Sequence, residues 1–152
     1  MADETVTVET TRTPGRFIAG ARQRFLVTDS TAGRGGPAEA WLAGELFLAA
    51  LGTCAVSSVT HFAREEGTGL LDVSATTSYT RHPEDPGRYE IVELTVITQG
   101  VSQAAAEHLV KLYTENCPVF GTVSRGADVS VVVRAESAGP PVARTGSHVV
   151  RT

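Results

Sequence analysis

Two thiols are the residues of this sequence whose type and setting could do chemistry. Cys54 closes the run Glu45-Leu46-Phe47-Leu48-Ala49-Ala50-Leu51-Gly52-Thr53-Cys54, and Cys117 sits in Asn116-Cys117-Pro118-Val119, 63 positions later. A thiolate can act as a nucleophile and pass through a sulfenic acid to a disulfide, provided that its charge is stabilised. Proline favours the first position of a helix, so Pro118 predicts a helix start with Cys117 at or beside its N-cap, where free N–H groups and the helix dipole stabilise a thiolate. Cys54 lies inside a helix, where an apolar surround raises its pKa and no backbone N–H is free to help. On this argument Cys54 is unreactive unless a cation is brought to it. Gly52 thins the helix surface two residues earlier and lets another segment or a small ligand approach.

A metal site fits less well. His61 returns to nearly the same helix face as Cys54 but two turns on, roughly 10 Å away, and neither Cys-x-x-Cys nor His-x-x-x-His spacing occurs. The plain alternative is that both cysteines are small buried hydrophobes. His61 and His108 read as helix-surface or satisfied core residues, and Trp41, Phe47 and Phe120 as core or pocket wall.

The element that must position Cys54 is the apolar stretch from Glu39 to Phe62. Its apolar residues fall on every side of a 3.6-residue wheel, which predicts a central helix covered all round. Glu45 and the polar Ser57, Ser58, Thr60 and His61 end leave too short a clean apolar run for the roughly 20 residues of a membrane span. Two β-rich regions cover one side of such a helix, so burial predicts a homodimer with the helix near its interface.

Before the helix, Thr5–Thr10 alternates as a half-buried strand and Arg16–Thr28 gives one or two further strands, breaking at Ala21-Arg22-Gln23. Residues 29–37 read as a flexible loop whose glycines match no phosphate-binding spacing. Gly67 stops the helix. Leu71–Arg81 and Arg88–Thr98 form a hairpin with one solvent face, and Ser102 caps an amphipathic helix that turns Leu109, Leu112 and Tyr113 inward. Asp128–Arg134 is the last strand. The division is a single domain over 1–136 and a Gly/Pro-rich tail over 137–152, in an α+β fold with mainly antiparallel sheet.

At 41% hydrophobic the 152 residues suit one core-bearing domain. The charge is mildly acidic, 13 Lys plus Arg against 17 Asp plus Glu, and the bases are scattered, which argues against nucleic acid as a partner. The acidic N-terminus has no apolar signal region, which predicts a cytoplasmic, reducing location.

The Glu45–Cys54 run, preceded by Gly35-Gly36-Pro37 and followed by Cys117-Pro118-Val119, resembles the two signatures of the OsmC/Ohr superfamily of thiol-dependent hydroperoxide reductases. The likeness covers roughly residues 5–135. It implies an intertwined homodimer with antiparallel sheets around long buried central helices, and a paired-cysteine site at the subunit interface. Cys54 then corresponds to the peroxidatic thiol and Cys117 to the resolving thiol, with an external dithiol as reductant and no cofactor or metal. In the Ohr branch an arginine from the early strands activates the first thiol and is held by a glutamate on the central helix. Arg16 is the candidate arginine here, with Arg22 and Arg24 as alternatives. The glutamate position, ten before the first cysteine, is Gly44. Glu45 is nine before, about half a turn round and roughly 13 Å along the helix from Cys54. This spacing and the Cys-Pro-Val form are closer to the OsmC-like branch than to Ohr proper.

Two functions follow as expectations. One is a peroxidase of oxidative stress defence, reducing organic hydroperoxides through a Cys54 sulfenic acid and a Cys54–Cys117 disulfide, with Arg16 and Glu45 as supporting catalytic candidates. The other is a non-catalytic dimer of the same fold that binds a small apolar ligand.

Overall fold

The structure, a computed structural model, describes residues 4–126 and the strands Ser130–Val133 and His148–Arg151. The first sheet is built from β1 (Thr7–Thr10), β2 (Arg16–Ala21), β3 (Arg24–Asp29) and the short β4 (Trp41–Leu42), in that order. β2 and β3 form a hairpin that turns within the expected break, at Arg22, whose φ of 58° is left-handed. β4 runs parallel to β3 and the other pairings are antiparallel.

The loop between β3 and β4 is more ordered than the sequence predicts. It contains a 3-10 turn at Ala32–Arg34 and crosses the turn before β2 so closely that a Cβ on Gly15 would lie 2.5 Å from the Gly36 Cα. Ser30 N–H donates to the Gly15 carbonyl at 2.7 Å. Gly15 and Gly36 serve this backbone crossing.

The central helix α1 spans Ala43–Glu66 and starts later than the expected Glu39. Its start is delayed because the Glu39 and Ala40 N–H groups donate to the Asp29 carboxylate, each at 2.9 Å, and Trp41-Leu42 pair with Thr28-Asp29 as strand. Gly67, at φ 64°, ends it as expected. By length and composition α1 could cross a membrane, so its assignment to the core rests on packing, not on a short apolar run. Within one chain, full burial is confined to the stripe Leu51, Ala55, Val59 and Ala63, spaced four residues apart, and does not extend all round the helix. Trp41 is half exposed instead of forming core or pocket wall.

β5 (Asp72–Arg81) and β6 (Tyr89–Gln99) form the second sheet, within a residue of expectation. Alternate residues Val73, Ala75 and Thr77 of β5 face α1, and the Thr77 hydroxyl donates to the Leu48 carbonyl at 3.0 Å. The outward face of β6 is less polar than predicted, since Ile91 and Ile97 lie there half exposed.

α2 (Gln103–Asn116) starts at Ser102, whose hydroxyl accepts from Ala105 N–H at 3.3 Å. α3 (Pro118–Arg125) follows directly. Both pack on α1, and Leu109, Tyr113 and Cys117 join Ala55, Val59 and Ala63 in one buried cluster. β7 (Ser130–Val133) pairs antiparallel with β8 (His148–Arg151), so the end of the expected tail returns as a strand. The rest of that segment lies outside the described residues.

Candidate functional site

Cys117 is shared by two helices. Its N–H donates to the Tyr113 carbonyl at 2.9 Å, closing α2, and its sulfur accepts from Phe120 N–H at 3.4 Å, capping α3 ahead of Pro118. The side chain is buried, with 6% exposure. This is the N-cap setting that Cys-Pro predicts.

Cys54, on the middle of α1, is half-buried against the same cluster. The two thiols are free, and Cys54 packs against the buried cluster that holds Cys117. Burial first, then the neighbouring Cys117, push the Cys54 thiol above its ordinary value. The described residues of one chain bring no cation to offset this. The expectation that Cys54 unaided is a poor thiolate therefore agrees with its surroundings. The structure brings Cys54 and Cys117 together; Arg16 and Glu45 lie elsewhere.

Arg16 opens β2 and faces Asp29 across the hairpin. Its Nε and Nη2 donate to the two Asp29 carboxylate oxygens at 2.9 Å each, and Nη2 also donates to Glu39 at 2.9 Å. Asp29, whose side chain is fully buried, accepts from the Glu39 and Ala40 backbone as well. The Arg16 guanidinium chiefly, with those N–H groups against the cost of burial, holds its carboxyl well below the carboxylate range. Sequence reasoning missed Asp29 as the arginine's partner. The signal was present, because a hairpin turning at Arg22-Gln23 sets residue 16 opposite residue 29. From Asp29 the chain pairs with Leu42, and Cys54 lies eleven residues beyond Ala43, roughly 16 Å along the axis. Within one chain Arg16 therefore stays near the α1 N-terminus.

Glu45 occupies the first turn of α1 and accepts from Leu42 N–H at 2.8 Å. It caps its own helix, a favourable place for a carboxylate. Gly44 is packed under Tyr79 and Tyr89, whose rings stack at 3.9 Å between centroids. A cavity of about 800 Å³ opens beside them, walled in part by Phe17, Leu46, Tyr79 and Tyr89 with Arg81 and Arg88. It includes neither thiol. His108 pairs with Glu66 on the surface at 2.9 Å and His61 is exposed, as expected. No cluster suited to a metal occurs among the described residues.

A residue sequence reasoning read only as core belongs to the thiol site. Tyr113 is fully buried, and its hydroxyl has no hydrogen-bond partner among the described residues. Burial first, then the charges of Cys117 and Cys54, push it up to about 12. The signal available was its place one helical turn before Cys117.

A family model described as OsmC-like protein matches residues 36–132. No curated protein matches the sequence. Among solved structures, a hypothetical protein from Aquifex aeolicus VF5 aligns at 22% identity over 83% of this chain and 90% of its own, with a TM-score of 0.70. An organic hydroperoxide resistance protein OsmC from Legionella pneumophila aligns at 24% identity over 83% and 91%, with a TM-score of 0.62. The organic hydroperoxide resistance protein OhrB of Bacillus subtilis gives 23% identity over 82% and 92%, with a TM-score of 0.58. At these identities the structural likenesses carry the fold.

Proposed function

The chain belongs to the OsmC-like protein family, and from that premise we propose that it is a thiol-dependent peroxidase that reduces organic hydroperoxides as a cytoplasmic homodimer. The observation that carries the reading is the meeting of Cys54 and Cys117 in one buried cluster although 63 positions separate them. Two relatives in fold are organic hydroperoxide resistance proteins, which agrees with it.

In this mechanism the Cys54 thiolate attacks the distal peroxide oxygen. The O–O bond breaks, its electron pair leaves with the alkoxide, and a proton converts that to the alcohol. Cys54 is left as a sulfenic acid. Cys117 then attacks the Cys54 sulfur, water is lost and a disulfide forms, which an external dithiol reduces back to two thiols. The apolar surroundings of Cys54 favour an alkyl or fatty-acid peroxide over hydrogen peroxide. Activation of Cys54 needs a positive charge, and since Arg16 is held at the far end of α1 within its own chain, a second copy is the source that this reading requires. Glu45 acts here through the α1 start, not on the thiol.

The second reading, a non-catalytic dimer that binds a small apolar ligand, is favoured by the raised Cys54 thiol and by the cavity walled by Phe17, Leu46, Tyr79 and Tyr89. A turnover assay with cumene hydroperoxide and dithiothreitol separates the two. Peroxidase action consumes both thiols of the reduced protein for one equivalent of peroxide. Thiols that persist in excess peroxide leave the ligand-binding reading.

A further inference from the structure

The Tyr113 hydroxyl has no assigned work in the scheme above. Leaving a buried hydroxyl unpaired costs about 1–3 kcal/mol, so a native orphan asks for a reason. Two hydroxyls on the elements around it are committed: Thr60 donates to the Val56 carbonyl at 2.7 Å and Thr77 to that of Leu48. The Tyr113 ring is fixed against Phe120, with centroids 5.5 Å apart and planes at 60°, so the hydroxyl cannot swing out to water without unpacking the cluster. It feels the charge of both thiols yet hydrogen-bonds to neither. An oxygen atom added to one of those sulfurs brings an acceptor into the cluster that encloses the hydroxyl. At neutral pH Tyr113 keeps its proton and meets such an oxygen as a donor.

Resting on the peroxidase reading, we propose that Tyr113 is a catalytic residue of disulfide formation, donating its O–H hydrogen bond to the sulfenic oxygen on Cys54. In that step the Cys117 thiolate attacks the Cys54 sulfur and the S–S bond forms as the S–O bond breaks. The electron pair stays on oxygen, which leaves as hydroxide and takes up the proton that Cys117 has released, giving one water. Tyr113 retains its own proton throughout. Its hydrogen bond holds the oxygen end of the S–O bond before the attack and stabilises the charge that grows there during it.

Tyr113→Phe tests this, because it keeps the ring and removes a hydroxyl that has no partner among the described residues. Reduced wild type and variant are mixed rapidly with cumene hydroperoxide, sulfenic acid is trapped with dimedone, and disulfide is followed by mass spectrometry. Sulfenic acid should form at a rate within about twofold of wild type, whereas disulfide formation slows by at least about tenfold, as loss of one donor to a developing charge implies, and dimedone-labelled Cys54 accumulates. The thermal midpoint of the variant should be unchanged or raised. Equal disulfide rates in the two proteins overturn the role of Tyr113 and leave the peroxidase reading standing. A wild type that forms neither sulfenic acid nor disulfide removes both.

Discussion

Gly44 and Tyr79 share a space that admits one side chain: a Cβ on Gly44 would lie 2.8 Å from the Tyr79 hydroxyl oxygen and 3.3 Å from that of Tyr89. The Ohr-type pattern has a glutamate at the Gly44 position, and here the stacked tyrosines fill that place. Gly44→Ala should therefore destabilise by about 1–3 kcal/mol, the usual cost of overpacking. Gly52→Ala is the control. Its new Cβ meets nothing nearer than 3.7 Å, at Thr77, and should stabilise α1 by about 0.5–1 kcal/mol. Urea titration of both variants decides the matter, and equal effects would contradict this account of Gly44.

Cys54→Ser should abolish peroxide consumption. Cys117→Ser should permit a single turnover that stops at a Cys54 sulfenic acid, visible by dimedone labelling. Activity in Cys54→Ser at the wild-type rate would show that the sulfurs have been assigned to the wrong roles.

Asp29 makes stability depend on acid. Its carboxyl is held low in the fold by Arg16, whereas in the unfolded chain it titrates near 3.9. Above about pH 4 both states are ionised and the contribution is fully present, and it is lost as pH falls from there toward the folded value. Asp29→Asn should be clearly less stable than wild type at pH 7, and the gap should close steadily toward pH 2. A gap that stays constant with pH would mean that the Arg16–Asp29 pairing contributes nothing through its charge.

Tyr113 has the opposite sign. Its folded value of about 12 lies above the unfolded value near 10, so its contribution is whole below pH 10 and is lost as pH rises from 10 to 12. The loss is at most about 3 kcal/mol by linkage. Subtracting the Tyr113→Phe curve isolates it, and chemical denaturation at pH 8, 10 and 11 should show the two proteins diverging only above 10. Parallel curves would place the hydroxyl in contact with water.

Local signals were read well where one residue decides a local outcome. Ser102 starts α2, Gly67 ends α1, Pro118 starts α3 and the break at Arg22-Gln23 separates β2 from β3. The start of α1 was misread because the residues from Glu39 to Leu42 are claimed by a carboxylate ten or more positions earlier and by a strand pairing, both tertiary contacts that override helix propensity. The wheel of α1 gave its apolar character but not which side a single chain covers. The meeting of Cys54 and Cys117 came to light in the sequence through resemblance, since no spacing rule joins residues so far apart. An unsatisfied hydroxyl such as that of Tyr113 becomes visible only when all its neighbours are in place.

Cys117 carries a last consequence of ending one helix while beginning the next. The sulfur that steadies the Phe120 amide is the same atom that an oxidised partner would draw away. On the peroxidase reading, disulfide formation takes that sulfur into a new bond, and the cap at the start of α3 would weaken in the oxidised protein.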